Sequence, residues 1–551
     1  MAERPGAPGA SWRVRRWSLV VVCAILFLTF LDNTIVSVTL ATLQNDLGPG
    51  ITALQWIVDG YLLTFAALML TGGTLGDLFG RKKVMLGGVA VFCAGSVVAA
   101  LARSGAGADQ VIAGRVIMGV GAAASEPGTL SMLRHLFPDR QERAHAIGAW
   151  AGVSGAALAF GPIVGGLLVG HGGWPDVFWF NLALGLLALV AALVVLPECS
   201  DPEGRRLDAL GLALGAGAVT AATFGVIQGE LSGFRTWWIV LLLAGSVALG
   251  VAFVAHERRA VDPVLKLELF REPTFTAANV VAFVTNFGVI AVFFFVVLYL
   301  AVIGTFSGYD IAAQFAAMAA AMMVAAGAAA AWVARRGPRL PTALGCLLAG
   351  GGMFAVDAVI GPRVSSWTLA VALAVVGFGF GLTLVTMTAS VLTIVPGERS
   401  GMAASTVNTF RELGGVFGTA VLGAILNSQI TGHLRAEMAA LDLPSSIQSM
   451  VVHLVTSGGI QQNQGLVQNL GSRGGAAGAC APADMACRVL GAAYDAFYSG
   501  LHVALVISGA MLLATVPVAL LMRAGDRAPG EDAPGSRRRL PLLAGRGSRE
   551  R

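Results

Sequence analysis

The stretch GTLGDLFGRKK occupies residues 73–83 and separates two long apolar runs of the sequence. Runs of about 20 apolar residues are long enough to cross the ~30 Å hydrocarbon core of a bilayer as helices. Glycines in such a stretch favour close helix approach and a tight turn, while Asp77 and Arg81 can bridge short gaps between helix ends. The stretch therefore predicts a hairpin of two membrane-spanning helices. The three glycines are Gly73, Gly76 and Gly80.

The composition of the whole chain agrees with a lipid environment. Of 551 residues, 56% are hydrophobic and 12% are charged, whereas soluble globular proteins carry about 25% charged residues. No soluble fold of this size could bury so much apolar surface. The composition therefore excludes an ordinary soluble enzyme and indicates a polytopic membrane protein.

Fourteen apolar runs follow one another between charged or Gly/Pro breaks. Backbone groups in hydrocarbon must be hydrogen-bonded internally, so each run is predicted to be an α-helix. The predicted fold class is an all-α polytopic membrane protein with fourteen transmembrane helices. The runs lie at 17–41, 53–75, 84–102, 110–131, 144–168, 176–196, 209–228, 237–255, 275–300, 311–334, 340–360, 367–393, 403–427 and 497–521.

The basic residues predict the orientation of these helices. Cytoplasmic loops carry an excess of Lys and Arg, and most of the 36 basic residues become cytoplasmic if both termini lie inside. The first run is too long for the apolar part of a cleavable signal peptide, and Arg13, Arg15 and Arg16 anchor it on the cytoplasmic side. The net charge of +5 is explained by this asymmetry, and we expect no nucleic-acid partner.

Two regions outside the runs are predicted to lie in water. Residues 428–496 form a long outside loop, and the Pro/Gly/Arg-rich tail 522–551 is too polar to build a core. Cys480 and Cys487 share the outside loop, where a disulfide is possible because that compartment is oxidising. No pattern of Cys and His indicates a metal site.

Asp32 lies in the middle of the first apolar run. A charge at the bilayer centre costs at least ~2.5–3.5 kcal/mol, so such a residue faces a cavity or a partner. A carboxylate that can gain and lose a proton there is what proton coupling requires. The alternative is a structural Asp held by neighbouring hydroxyl groups.

The fourth run contains two further ionisable residues. Arg115 stays charged in any environment and needs a partner, for which Asp32 and Asp59 are the candidates. Glu126 lies about 16 Å further along the helix, beside Pro127, and is a second candidate for proton or cation binding. Its alternative role is a hydrogen bond, in the protonated form, to carbonyls that the proline leaves free.

The thirteenth run carries Arg411 and Glu412 at mid-membrane depth. Adjacent residues on a helix do not face one another, so we expect these two side chains to serve different partners. Asp357, near the outer end of the eleventh run, is expected to be an interfacial residue, with contact to cationic substrates as the alternative.

Several of these segments resemble the major facilitator superfamily. Residues 73–83 resemble its cytoplasmic loop signature, although Leu78 stands where the family favours Arg. Residues 31–36 (LDNTIV) are similar to a signature of its fourteen-helix drug/proton antiporters, the EmrB/QacA type. Arg115 to Pro127, Gly161 to Gly166 and Asn408 to Gly415 also resemble motifs of those antiporters. Glu126 and Glu412 depart from the usual residues at their positions.

The resemblance implies a major facilitator fold and roles for particular residues. Two six-helix halves enclose two extra central helices. Asp77 and Arg81 steady the outward-facing state, and Asp32 with Arg115 belongs to proton coupling. Gly161, Pro162, Gly165 and Gly166 belong to the bend that permits exchange. The implied division is a cytoplasmic arm at 1–16, halves at 17–196 and 275–521, the extra helices with their linkers at 197–274, and the tail at 522–551.

Three hypotheses about function follow. The first is a proton-coupled antiporter in a bacterial inner membrane that exports small amphipathic molecules such as drugs, dyes or antibiotics. The second keeps the fold but exports a lipid or an endogenous metabolite. The third is a membrane-embedded enzyme or sensor. It requires a catalytic cluster or a soluble signalling domain, and the sequence indicates neither. The expected partners are substrate, protons and lipid. We expect a monomer without cofactor, and no phosphate-binding loop for ATP is present.

Overall fold

The computed structural model describes residues 12–47, 51–102, 107–198, 207–302, 308–361, 365–395, 400–440 and 485–523. These ranges contain fourteen α-helices, the shortest of them 20 residues long. They are α1 (Trp12–Leu47), α2 (Ile51–Phe79), α3 (Arg81–Ala100), α4 (Gly107–Leu136), α5 (Arg140–Gly172), α6 (Pro175–Val195), α7 (Ala209–Ser232), α8 (Trp237–Glu257), α9 (Pro273–Val302), α10 (Gly308–Arg336), α11 (Arg339–Val359), α12 (Ser366–Ile394), α13 (Ser400–Ala440) and α14 (Met485–Ala519). A short 3-10 turn at Leu267–Arg271 precedes α9.

Each predicted apolar run falls on one of these helices, which confirms an all-α polytopic fold. Eleven of the described helices are long and apolar enough to cross a membrane. The three others are α4, α5 and α9. The number of fourteen spans therefore stays a prediction, as does the orientation of the termini.

Helix ends differ from the prediction at both predicted water-exposed borders. The helix α13 continues to Ala440 and α14 begins at Met485, so both helices extend into the segment predicted as the outside loop, 428–496, whose location stays a prediction. Likewise α1 begins at Trp12, inside the predicted arm 1–16. Hydropathy marks only the lipid-embedded part of a helix, whereas backbone hydrogen bonding continues through polar residues in water.

The helices pack in two groups with contacts between them. In the first group α1 packs on α5 and α6, and α4 packs on α2 and α3. In the second group α9 packs on α13 and α14, and α12 packs on α10 and α11. The groups meet where α2 contacts α13 and where α5 contacts α10 and α12. Helix α4 also contacts α13, so α2, α4, α5, α10, α12 and α13 lie at the interface between the two groups.

The helices α7 and α8 lie at the edge of the bundle. Helix α8 packs on α7, and its apolar side chains Trp237, Leu241 and Val247 are exposed, as suits a surface in contact with lipid. Helix α7 contacts both α2 and α13. A helix from the central segment therefore touches both groups of the bundle.

Glycine decides how closely α3 and α4 approach. A Cβ atom on Gly88 would lie 2.6 Å from the carbonyl oxygen of Gly121 and 2.8 Å from the backbone nitrogen of Ser125. Neither backbone atom can move without shifting a helix. A Cβ on the adjacent Gly87 would have no atom within 4 Å. The contact between α3 and α4 therefore requires glycine at position 88 but not at position 87.

Gly88→Val should lower the melting temperature of the detergent-solubilised protein because overpacking of a well-packed contact costs about 1–3 kcal/mol. Gly87→Val, the matched control, should leave the melting temperature close to that of the unsubstituted protein. Thermal unfolding followed by tryptophan fluorescence measures both. Equal melting temperatures for the two variants would contradict the assigned packing.

Candidate functional site

Asp32 and Arg115 form an ion pair inside the first group of helices. Both side chains are almost completely buried, and Nη1 of Arg115 donates to Oδ2 of Asp32. Nε of Arg115 also donates to the carbonyl oxygen of Ile57, at 2.9 Å. Of the two partners considered for Arg115, the structure selects Asp32. The pair links α1 to α4 and reaches the backbone of α2.

Two residues that sequence reasoning did not assign to the site complete this pair. Asn181 on α6 donates its Nδ2 hydrogen to Oδ1 of Asp32 at 2.7 Å. The ring of Tyr61 lies 4.3 Å from the guanidinium carbon of Arg115, in a cation–π contact. The only signal for Asn181 was an amide in an otherwise apolar run, which hydropathy treats as tolerable.

A second buried pair joins the two groups of helices. Nη2 of Arg411, on α13, donates to Oε1 of Glu126, on α4, at 2.6 Å. The same nitrogen lies 3.0 Å from Oε1 of Glu412. The expectation of different partners for Arg411 and Glu412 was therefore wrong. The arginine side chain is long enough to fold back along its own helix, so adjacent positions can still pair.

The surroundings of Glu126 leave part of its carboxylate without a partner. Nδ2 of Asn408 lies 3.3 Å from Oε1 of Glu126, while Oε2 is buried and lacks a hydrogen-bond partner among the described residues. Aromatic rings cover the arginine, with Phe30 at 5.1 Å and Trp150 at 6.0 Å from its guanidinium carbon. With both glutamates ionised, one guanidinium faces two carboxylates. This cluster then carries a net negative charge.

Asp77 connects the turn between α2 and α3 to the start of α13. Its carboxylate accepts hydrogen bonds from Nε and Nη2 of Arg81, at 3.1 and 2.9 Å. It also accepts from the backbone nitrogens of Gly401, at 3.2 Å, and Met402, at 2.9 Å. The first amides of a helix lack intrahelical partners and carry partial positive charge. Asp77 thus holds the two groups together at this end of the bundle.

The glycines predicted for the turn play different parts. A Cβ on Gly73 would lie 2.7 Å from the carbonyl oxygen of Gly401, so the close approach is to α13 rather than to α3. Gly80 has a φ of 106°, which L-residues rarely adopt, and it begins the tight turn into α3. A Cβ on Gly76 would meet only Arg81, at 4.0 Å. Close approach at Gly76 is therefore not required.

The glycine motif of α5 lies beside the Asp32 pair. A Cβ on Gly161 would lie 3.0 Å from the backbone nitrogen of Ile35 and would also meet Thr34. Gly165 is buried, whereas Gly166 is exposed with open space around its Cβ position. Pro162 lies within continuous helix α5, and its side chain falls outside the described residues. The motif packs α5 on α1 next to Asp32, and its role as a bend stays a prediction.

The remaining candidates lie elsewhere. Asp59 lines a small pocket with residues of α2, α7 and α13 and takes no part in either arginine pair. Asp357 lies near the end of α11, where His502 Nδ1 is 2.7 Å from its carboxylate. Cys480 lies outside the described residues, so the disulfide with Cys487 stays a prediction.

Comparison with known proteins identifies the family. The model of the Major Facilitator Superfamily matches residues 22–419. The chain belongs to the Major Facilitator Superfamily. This confirms the resemblance seen in the sequence and, with the apolar helices, identifies a multi-pass membrane transporter.

Curated members of the superfamily are similar to this chain along most of its length. The tetracenomycin C resistance and export protein of Streptomyces glaucescens is 31% identical over 96% of this chain and 95% of its own length. The methylenomycin A resistance protein of Bacillus subtilis is 32% identical over 77% of this chain and 90% of its own length. A probable actinorhodin transporter of Streptomyces coelicolor is 31% identical over 81% and 80%.

Solved structures of the superfamily share the fold. The proton:xylose symporter XylE superposes with a TM-score of 0.58, at 12% identity, over 92% of this chain and 95% of that one. The human organic anion transporter MFSD10 has the same TM-score, at 16% identity, over 75% and 93%. These likenesses support the helical architecture of the superfamily.

Asp77→Ala should loosen the contact between α2 and the start of α13, because it removes the acceptor of the Gly401 and Met402 amides. Ser405 is fully buried beside Gly73 and serves as a reporter once it is replaced by Cys, with the native cysteines changed to Ser. A maleimide should label this reporter faster in the Asp77→Ala protein. Asp109→Ala, at an exposed position in the first turn of α4, is the matched control. Equal labelling rates would contradict the assignment of Asp77 as the contact that holds the two groups of helices together.

Proposed function

We propose that this transporter is a proton-coupled antiporter that exports small amphipathic molecules by alternating access. The buried pair of Asp32 and Arg115 carries the proposal. A carboxylate held in hydrocarbon is retained at a cost of several kcal/mol, and such residues mark proton pathways. The names of the resistance and export proteins that resemble the chain support the substrate class.

Protonation of Asp32 supplies the coupling step. While Asp32 is ionised, it compensates the permanent charge of Arg115. When it takes up a proton, Arg115 retains its bond to the Ile57 carbonyl and its contact with Tyr61, but it loses its counter-ion. An uncompensated charge in a low-dielectric interior is strongly unfavourable. The free energy of proton binding is thereby converted into a preference for a different arrangement of α1, α2 and α4.

The second pair passes this preference to the other group of helices. Glu126 is on the same helix as Arg115, and its partner Arg411 lies on α13. A shift of α4 therefore changes a contact that spans the interface. We infer that residues 17–196 and 275–521 form the two moving halves, and that Asp77 closes one end while the other end opens.

The proposed energy source is the proton gradient across a bacterial cytoplasmic membrane, without ATP or a bound cofactor. A single chain is the proposed working unit, because both arginine pairs are formed within it. The substrate enters between the two halves and leaves on the other side.

Asp32→Asn should abolish proton-driven dye accumulation in inverted vesicles, because the amide cannot release a proton, while expression stays intact. Asp46→Asn is the matched control, since Asp46 lies on the same helix and is exposed. Dye fluorescence quenching after the gradient is imposed gives the rate. Transport by Asp32→Asn at the rate of the control would remove Asp32 from the coupling mechanism.

Expression in a strain without its own efflux pumps should raise the growth-inhibiting concentration of at least one antibiotic or cationic dye. The increase should disappear with Asp32→Asn. Growth inhibition across a panel of compounds measures it. A flat profile would contradict drug export and favour export of a lipid or an endogenous metabolite.

A further inference from the structure

We propose that the pocket between α2, α7 and α13 binds the ammonium group of a primary amine, with Asp59 as its counter-ion. This inference rests on the proposed function only for the claim that such an amine is exported. Ammonium binding itself can be tested without a proton gradient. The lining residues are Gln55, Asp59 and Leu62 of α2, Ile227 of α7, and Val416, Thr419 and Ala420 of α13.

Asp59 is the unexplained charge of this pocket. Its carboxylate has no hydrogen-bond or ion-pair partner among the described residues, unlike Asp32, Asp77 and Glu126. It is partly buried, and an unpaired carboxylate removed from water is costly. None of the seven lining residues is basic. No residue that lines the pocket therefore compensates the charge of the Asp59 carboxylate.

The other polar groups of the pocket suit an ammonium donor. The Thr419 hydroxyl donates to carbonyls of its own helix, Gly415 at 3.1 Å and Val416 at 3.0 Å, so its oxygen remains able to accept. Gln55 adds an amide oxygen one turn from Asp59. An ammonium carries three donors and no acceptor, and hydrogen bonds from it to a carboxylate are strong. Carboxylate, hydroxyl and amide oxygens together match those three donors.

The glutamates deeper in the bundle also favour a positively charged ligand. Glu412 precedes Val416 and Thr419 by four and seven residues, so the three share one face of α13. The side chain of Glu412 is 16% exposed, and it belongs to the cluster in which two glutamates share Arg411. With Asp59 and both glutamates ionised, Asp59 and this cluster produce a negative potential along one side of α13.

Helix α7, from the central segment, contributes part of the apolar lining of the pocket. Ile227 of α7 joins Leu62 and Val416 in the apolar lining of the pocket, and Phe224 lies one turn away with its ring 5.5 Å from that of Trp56. Apolar walls with few polar groups are typical of small-molecule sites. The walls accommodate the carbon stem of an amine while Asp59 holds its charged end.

Dansylcadaverine tests this assignment, because its primary ammonium ends a flexible alkyl stem and its dansyl group reports binding by fluorescence. The purified full-length protein is placed in nanodiscs of phosphatidylglycerol, without any gradient. The unsubstituted protein should bind dansylcadaverine at least about tenfold more tightly than N-acetyl-dansylcadaverine, whose amine is neutral.

Three variants distinguish the effect of the Asp59 charge from the effect of the pocket volume. Asp59→Asn should raise the Kd for dansylcadaverine at least about tenfold and leave that for the neutral analogue unchanged. Ile227→Phe should weaken binding of both probes because it fills the pocket from α7. Leu241→Phe, on the exposed surface of α8, should change neither. Unaltered melting temperatures show that the variants are folded.

The outcomes distinguish the sources of the ammonium group and the two proposals. Competition by phosphatidylethanolamine in the nanodiscs would assign the pocket to a lipid headgroup, and its absence would assign it to a soluble amine. Equal Kd values for Asp59→Asn and the unsubstituted protein, or no binding of dansylcadaverine at all, would overturn the ammonium site. Proton-driven transport that depends on Asp32 would survive either result.

Discussion

The arginine at position 115 imposes the constraint on which the site depends. A guanidinium group cannot lose its proton in a protein, and here it is buried to 1% exposure inside a helix bundle. Moving a charge of this kind into a low-dielectric interior costs several kcal/mol unless it is paired and hydrogen-bonded. Asp32, the Ile57 carbonyl and the Tyr61 ring meet that requirement from two neighbouring helices. The positions of α1, α2 and α4 are thus fixed by one charge.

The close packing around this charge follows from small residues. Gly161 brings α5 against α1 beside Asp32, and Gly88 brings α3 against α4. Such contacts are favourable in lipid because they rely on van der Waals packing at short distance rather than on exclusion of water. The bundle therefore holds its charges in rigid surroundings, so a change in one charge is transmitted to neighbouring helices instead of being absorbed by a loose core.

The sequence allowed the helices to be predicted and narrowed the partner of Arg115 to Asp32 or Asp59, but it did not allow the full network to be predicted. Asp32 and Asp59 were the candidates because an arginine in an apolar run has few acidic residues at the same depth, and depth alone could not choose between them. Asn181 was missed because a neutral amide hardly changes hydropathy. The contact of Arg411 with Glu412 was predicted wrongly because backbone direction does not decide where a long, flexible side chain ends. The helix ends differed from the predicted ones because apolar residues mark the part of a helix that lies in lipid, whereas backbone hydrogen bonding continues beyond that part.

Arg411 differs from Arg115 in the sign of the charge that surrounds it. Arg115 has one carboxylate, so its pair is neutral, whereas Arg411 faces Glu126 and Glu412 and leaves one negative charge in excess when both are ionised. The excess favours uptake of a positive charge at the interface of the two groups. A proton on Glu126 or Glu412 and a cation near α13 would compete for the same compensation. Two ligands that relieve one excess charge cannot both bind at full strength, and that exclusion is what the proposed exchange would require for a cationic substrate.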